Sequence, residues 1–95
     1  MTSPRPIGSI AHDIMRDMVS ICAHAKKPVH PKQRFAYAWP YLTAMATLDT
    51  ADDMYGLDTG VSVILYGLSN LSTYRGDKAK ALKAELRAHL PERYR

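Results

Sequence analysis

Cysteine is nearly absent from this sequence. Cys22 is the only one, so no disulfide can form within the chain. A small extracellular scaffold held together by disulfides is therefore excluded, and a single free thiol is typical of a reducing compartment. We expect the Cys22 thiol to be buried and chemically inert.

Long hydrophobic runs are also missing. No apolar segment approaches the ~18 residues of a membrane-spanning helix. The N-terminal segment MTSPRPIGSIAHD has two prolines and an acid where a signal peptide would carry an apolar core. We therefore expect a cytoplasmic protein with no membrane contact.

Recognisable catalytic and metal-binding motifs are absent as well. There is no Cys-x-x-Cys or His-x-x-x-His pair for a zinc ion, and no glycine-rich loop for a phosphate group. A nucleophile elbow and paired glutamates are missing too. The sequence predicts a non-enzymatic protein with no catalytic residues, no metal and no cofactor.

Lysine and arginine are missing from one long central segment. Residues 1–34 hold six Lys/Arg and two acids, and residues 75–95 hold seven and three, which gives +4 for each segment. Residues 35–74 carry four aspartates and neither lysine nor arginine, so the total is +4. We expect a folded molecule with one acidic corner between basic ends.

The apolar residues that are present recur at helical spacing. With 95 residues, 46% of them hydrophobic, the chain should form one globular domain. We predict a single all-α domain over 1–95, a small bundle with a flexible N-terminus (about 1–7) and a short basic C-terminal tail (about 91–95). The four main helices are expected over 8–25, 40–54, 61–74 and 77–90.

Pro40 leaves two arrangements open for the segment before the second helix. Either an extra short helical turn over about 31–38 ends before Pro40, or one longer helix kinks there. The break is favoured, because proline suits the first turn of a helix and the residue before it resists the α region.

The stretch ADDMYGLDTG, residues 51–60, has the composition of either a calcium loop or a turn. An EF-hand loop numbered from its glycine would need oxygen ligands at positions 1, 3, 5 and 12, and only Asp53 fits. The turn is favoured. Gly56 would close the second helix in the left-handed conformation, with Leu57 folded back over it. Asp58 or Thr59 would then cap the next helix.

Two further glycines have predicted roles. Gly67, inside the third helix, is expected to mark a close approach by another helix. Gly76 should end one helix, with Asp77 capping the next.

Every second residue over 35–41 is aromatic, and this pattern suggests a protein interface. On a helix a spacing of two scatters the rings, so some should pack inside and others should be exposed. Stacking of single-stranded nucleic acid on these rings is a weaker alternative. Together with the acids of the central segment, the candidate protein interface is Phe35, Tyr37, Trp39, Tyr41, Asp52, Asp53 and Asp58. We also expect a homodimer built around Phe35–Met45, because four short helices cover few large apolar side chains.

The basic last helix is the alternative functional surface. The third and fourth helices could form a helix-turn-helix with the last helix in a groove of DNA or RNA. The candidate phosphate contacts are Arg75, Lys78, Lys80, Lys83 and Arg87.

Three segments carry a resemblance to a known group. They are IGSIAHDIMRD, YLTAMATLDTADDMYGLDTGVSVILYGLSN and YRGDKAKALKAEL, within residues 7–90. The chain resembles small uncharacterised proteins carried by plasmids, prophages and other mobile elements of proteobacteria. This resemblance implies a regulatory or accessory protein that binds a partner of the host or of the element, for example to modulate host defence or conjugation.

Overall fold

The computed structural model describes residues 4–95 and is mostly helical, as predicted. The helices and strands are α1 (Ile7–Ala23), α2 (Pro31–Arg34), α3 (Trp39–Met45), β1 (Met54–Tyr55), β2 (Asp58–Thr59), α4 (Gly60–Ser69), α5 (Asp77–Arg87) and a final 3₁₀ turn (Glu92–Tyr94). The all-α class is therefore broadly confirmed. Four helices of seven or more residues and the short α2 before Pro40 are present, but they do not form a clean four-helix bundle, because a short antiparallel hairpin interrupts them. Within residues 4–95, no helix combines the length and apolar content needed to cross a membrane.

Helix α1 is the centre of the core. Apolar residues at helical spacing predict a buried stripe of Ile10, Ile14, Met18, Ile21 and Ala25, of which the first three are fully buried and the last two partly buried. Cys22 is buried near the end of the helix. Helices α2, α3 and α5 all pack against α1. One long amphipathic helix therefore organises the shorter ones around it.

Helix α5 runs antiparallel to α1, and polar contacts tie both of its ends. Just before α5, the Tyr74 hydroxyl donates to Asp17 at 2.6 Å. Near its other end, the Arg5 guanidinium donates to both oxygens of Glu85, at 2.9 and 2.8 Å, and to Asp13 at 2.7 Å. The hydrogen bonds from Arg5 lower the pKa of both carboxyl groups.

The two terminal segments make contacts within the part that the structure describes. Of the predicted flexible segment 1–7, residues 1–3 lie outside the described residues, and Arg5 bridges α1 and α5. In the predicted tail, 91–95, Arg95 donates to the carbonyl oxygens of Leu90 and Ala88. Those bonds satisfy carbonyl groups after the end of α5.

Two predicted helices end five or more residues earlier than the sequence suggested, and the last helix ends at Arg87 instead of 90. The break before Pro40 is confirmed, but the helix that follows ends at Met45 instead of 54. The third helix ends at Ser69 instead of 74, where the side chain of Asn70 donates to the Tyr66 carbonyl. Threonine, aspartate and asparagine after each end compete for backbone hydrogen bonds and disfavour helix continuation.

The start of α1 docks on the loop that follows α3. Pro6 precedes α1 and provides no side-chain cap. The backbone N–H groups of Ile7 and Gly8 instead donate to the carbonyl oxygens of Asp49, at 3.0 Å, and Leu48, at 2.8 Å. A Cβ atom on Gly8 would lie only 2.7 Å from the Ala46 carbonyl oxygen. Glycine at this position therefore permits the close approach.

We predict that Gly8→Ala destabilises the protein. Alanine ordinarily stabilises a helix by up to ~1 kcal/mol relative to glycine, but here its methyl group would push against the backbone of Ala46. We expect a net loss of roughly 1–3 kcal/mol in the free energy of unfolding, measured by urea denaturation. Ser9→Ala, at the exposed neighbouring position, is the control and should be close to neutral. Equal stability of the two variants would contradict the close approach.

Candidate protein-binding groove

The stretch ADDMYGLDTG forms a hairpin between α3 and α4. Met54 pairs with Thr59 and Tyr55 with Asp58, and residues 56–57 make the turn. Gly56 has a φ of +61°, so its predicted left-handed conformation is confirmed, although it closes a hairpin and not a helix. The predicted fold-back of Leu57 is wrong, because its side chain is 99% exposed.

The predicted cap of α4 is confirmed. The Thr59 side chain accepts a hydrogen bond from the Ser62 backbone N–H at 3.1 Å. At α5 the prediction is wrong, because Gly76 occupies the N-cap position and Asp77 is already the first helical residue. Among residues 4–95, no three His, Cys, Asp or Glu side chains group in a way that could hold a metal ion.

Asp53 holds the loop before the hairpin together. One of its carboxylate oxygens accepts the backbone N–H groups of Asp49, at 2.8 Å, and Thr50, at 3.1 Å. Its own carbonyl oxygen accepts the Gly60 N–H at 2.7 Å. The two N–H donors lower the pKa of Asp53. The carboxylate of Asp53, one of the predicted interface acids, is therefore engaged within its own loop.

The predicted aromatic set divides between core and surface, as expected for a spacing of two. Phe35 is buried with its ring edge-on to Tyr74 at a centroid distance of 6.2 Å, whereas Tyr37 is 82% exposed. Trp39 and Tyr41 are half-buried. Phe35 thus contributes to the core, and the other three rings reach the surface to different degrees.

The hairpin, α3 and α4 enclose a groove that the sequence did not reveal. Its volume is about 480 Å³, and its lining includes Pro40, Tyr41, Tyr55, Asp58, Val63 and Tyr66. Tyr41 and Tyr66 stack with a centroid distance of 6.2 Å and an interplanar angle of 25°. We call this feature the tyrosine groove. Of its tyrosines, only Tyr41 was among the predicted interface residues.

Gly67 allows α3 and α4 to approach each other closely behind this groove. A Cβ atom on Gly67 would lie 3.3 Å from the Cβ atom of Tyr41 and would overlap the end of the Met45 side chain. The predicted close approach at Gly67 is therefore confirmed. It brings Tyr41 on α3 beside Tyr66 on α4.

The elements that build the tyrosine groove carry negative charge and no positively charged side chain. All three elements that build it fall within residues 35–74, which contain neither lysine nor arginine. Asp58 is the only charged residue in the lining. Tyr66, which also lines the groove, is 61% exposed and presents aromatic surface beside this charge. The lining of the groove therefore combines aromatic surface with one carboxylate and no cationic side chain.

The predicted nucleic-acid contacts on α5 do not form one face. Lys83 lies over the Tyr74 ring and donates to the Tyr74 carbonyl at 2.6 Å, so its ammonium group is already bound. Burial lowers its pKa, and so do the charges of Arg87 and Arg75. Lys78 lies on the side of α5 that faces Asp13, whose pKa its charge helps to lower.

The connection between α4 and α5 also differs from a helix-turn-helix. It covers residues 70–76, seven residues, whereas the DNA-binding motif uses a turn of about three to four residues. Lys80 and Arg87 remain exposed, and Arg75 is exposed while it donates to the Ser72 carbonyl at 3.2 Å. Lys78 is also exposed, on the side of α5 that faces Asp13. We call the other three exposed cations, Lys80 and Arg87 on α5 and Arg75 just before it, the basic stripe of α5.

Comparison with known proteins assigns this chain to no family. No protein-family model matches the chain, no curated protein matches it, and no solved structure matches it. A function for this chain must therefore be inferred from the geometry of its surface.

Proposed function

We propose that this chain is a non-enzymatic accessory protein that acts by binding a protein partner in the tyrosine groove. The observation that carries the proposal is the convergence of Tyr41, Tyr55 and Tyr66 from three elements around one open groove. Tyr55 and Tyr66 are 45% and 61% exposed, so their rings are accessible to a partner.

Tyrosine side chains suit this role. They offer a large, rigid apolar surface at a low cost in conformational entropy, together with a hydroxyl group for hydrogen bonding. Exposed apolar surface that is grouped in this way typically marks an interaction site. A volume of about 480 Å³ lies within the range of ~300–1,000 Å³ that is usual for ligand pockets. It can accommodate a few side chains of an extended segment.

The groove is also built before a partner arrives. The hairpin is held by backbone pairing at Met54–Thr59 and Tyr55–Asp58, and the loop before it is held by Asp53. A preformed site avoids the entropy cost of ordering loops upon association. The lining carries one carboxylate, Asp58, and no histidine, cysteine or lysine, which favours binding over catalysis.

The resemblance noted from the sequence provides a biological context for this proposal. The protein would serve a plasmid, prophage or other mobile element as a regulatory protein, with a host-defence or conjugation component as its partner. Homodimerisation is part of the same proposal. Within Phe35–Met45 the large apolar residues Phe35, Leu42 and Met45 are buried in the monomer. A second copy would therefore have to use Tyr37 and the groove tyrosines.

We predict that replacing a groove tyrosine by alanine reduces the amount of protein partner that the chain captures. Wild-type protein, Tyr66→Ala and Tyr94→Ala would be used as baits in a host lysate. Tyr66 lines the groove, while Tyr94 is the matched control, an exposed tyrosine outside the groove lining. We expect Tyr94→Ala to retain the partner and Tyr66→Ala to reduce capture about tenfold or more, as for an aromatic hot spot.

The stability of each bait, checked by circular dichroism, must match that of the wild type. A partner captured equally well by Tyr66→Ala would contradict a role for the groove. Recovery of nucleic acid alone would contradict the protein-binding proposal altogether.

A second candidate function is binding of DNA or RNA through the basic stripe of α5. The observation in its favour is the crowding of positive charge near Lys83, where Arg75 and Arg87 contribute to a lowered pKa. Phosphate contacts would make the affinity fall steeply with salt, by about 0.9 in log–log slope for each contact.

For this candidate, Lys80→Ala should reduce the magnitude of the salt slope for random duplex DNA by about 1. Lys78→Ala removes the same charge from the side of α5 that faces Asp13, so it is the matched control and should change the slope less. Absence of binding at low salt, or equal slopes for both variants, would count against nucleic-acid recognition by this stripe.

A further inference from the structure

We propose that the tyrosine groove recognises a cationic side chain, arginine in particular, in an extended segment of the partner. This inference rests on the proposed function, in which the groove binds a protein. It adds the chemistry of the segment that occupies the groove.

The aromatic surface of the groove suits a guanidinium group. The faces of tyrosine rings carry negative electrostatic potential, and a cation within about 6 Å of a ring centroid is attracted to it. Tyr41 and Tyr66 are near-parallel, at 25°, and Tyr55 adds a third ring from the hairpin. Because guanidinium is planar and weakly hydrated, it stacks on such rings more readily than a lysine ammonium does.

Asp58 provides the charge that would fix the position of the cation. Its carboxylate lies in the lining, and within residues 4–95 no side-chain hydrogen bond or ion pair engages it. A carboxylate can receive two parallel N–H groups of one guanidinium, which adds geometric specificity. Glu85 forms such a two-bond pair with Arg5 elsewhere in this chain.

Charge complementarity distinguishes an arginine from an apolar occupant. A leucine or phenylalanine seated over the tyrosines would remove water from Asp58 without offering it a donor, which is unfavourable. No lysine or arginine occurs in α3, the hairpin or α4 to neutralise that carboxylate from within the lining elements. Within the lining elements Asp58 therefore has no cationic neighbour, and a guanidinium group of the partner can supply one.

The test uses the full-length chain, labelled with ¹⁵N and followed by NMR. The probes are the peptide acetyl-Gly-Gly-Arg-Gly-Gly-amide and its citrulline counterpart, which has nearly the same shape but no charge. We expect the arginine peptide to shift the amide signals of Tyr55, Asp58, Ser62 and Tyr66. Its affinity should exceed that of the citrulline peptide about tenfold.

Two variants with the same change in charge make the test specific. Asp58→Asn should abolish most of the preference for arginine over citrulline. Asp49→Asn removes another exposed acid of the same segment that lies outside the groove lining, so the preference should persist.

Several results would overturn the inference. Equal affinity for the arginine and citrulline peptides would contradict an arginine site in the groove. Amide signal shifts confined to residues 49–52 would contradict it as well. A leucine peptide that binds the groove better than the arginine peptide would do the same and leave the proposed function standing. Groove signals that change with protein concentration alone would make a second copy the occupant. If no peptide shifts the groove and the partner also survives Tyr66→Ala, the proposed function fails as well.

Discussion

The docking of the first turn of α1 on the loop after α3 is the constraint on which the rest of the structure depends. Because Pro6 provides no side-chain cap, the N–H groups of Ile7 and Gly8 bond to the carbonyl oxygens of Asp49 and Leu48. These bonds join the central helix to a loop about 40 residues away in sequence. The approach depends on the absence of a side chain at Gly8, since a Cβ there would meet the Ala46 carbonyl.

The position of the loop then determines the shape of the tyrosine groove. Asp53 accepts the N–H groups of Asp49 and Thr50 with its side chain and that of Gly60 with its backbone. The hairpin between Asp53 and Gly60 is thereby closed at its base, beside the start of α4. Tyr55 and Asp58 consequently face the α3–α4 pair, where Tyr41 and Tyr66 stack. A backbone contact at α1 thus supports the site that we propose for a partner.

The sequence predicted the parts of this arrangement that depend on local periodicity. The stripe of Ile10, Ile14 and Met18 and the last helix could be found because apolar residues recur at helical spacing. The early end of α3 was harder to predict, since the local effect of the polar residues after Met45 is joined by bonds from distant Ile7 and Gly8 to the loop that follows. Strands of two residues have too few positions for a detectable alternation. Because the hairpin was not predicted, no pattern in the sequence placed Tyr55 near Tyr66. For the same reason, Asp53 was predicted as an exposed interface acid and not as the residue that holds the loop.

The claim that the loop supports a preformed groove is tested most directly by amide hydrogen exchange at Thr50 and Gly60, whose N–H groups bond to Asp53. If the loop supports a preformed groove, both amides are protected in the wild type. Asp53→Ala removes the side-chain acceptor of the Thr50 N–H and should accelerate exchange there most, while the amide of Leu86, buried in α5, stays protected. Exchange of Thr50 and Gly60 in the wild type at the rate of an unstructured chain would contradict the account, because the groove would then not be preformed.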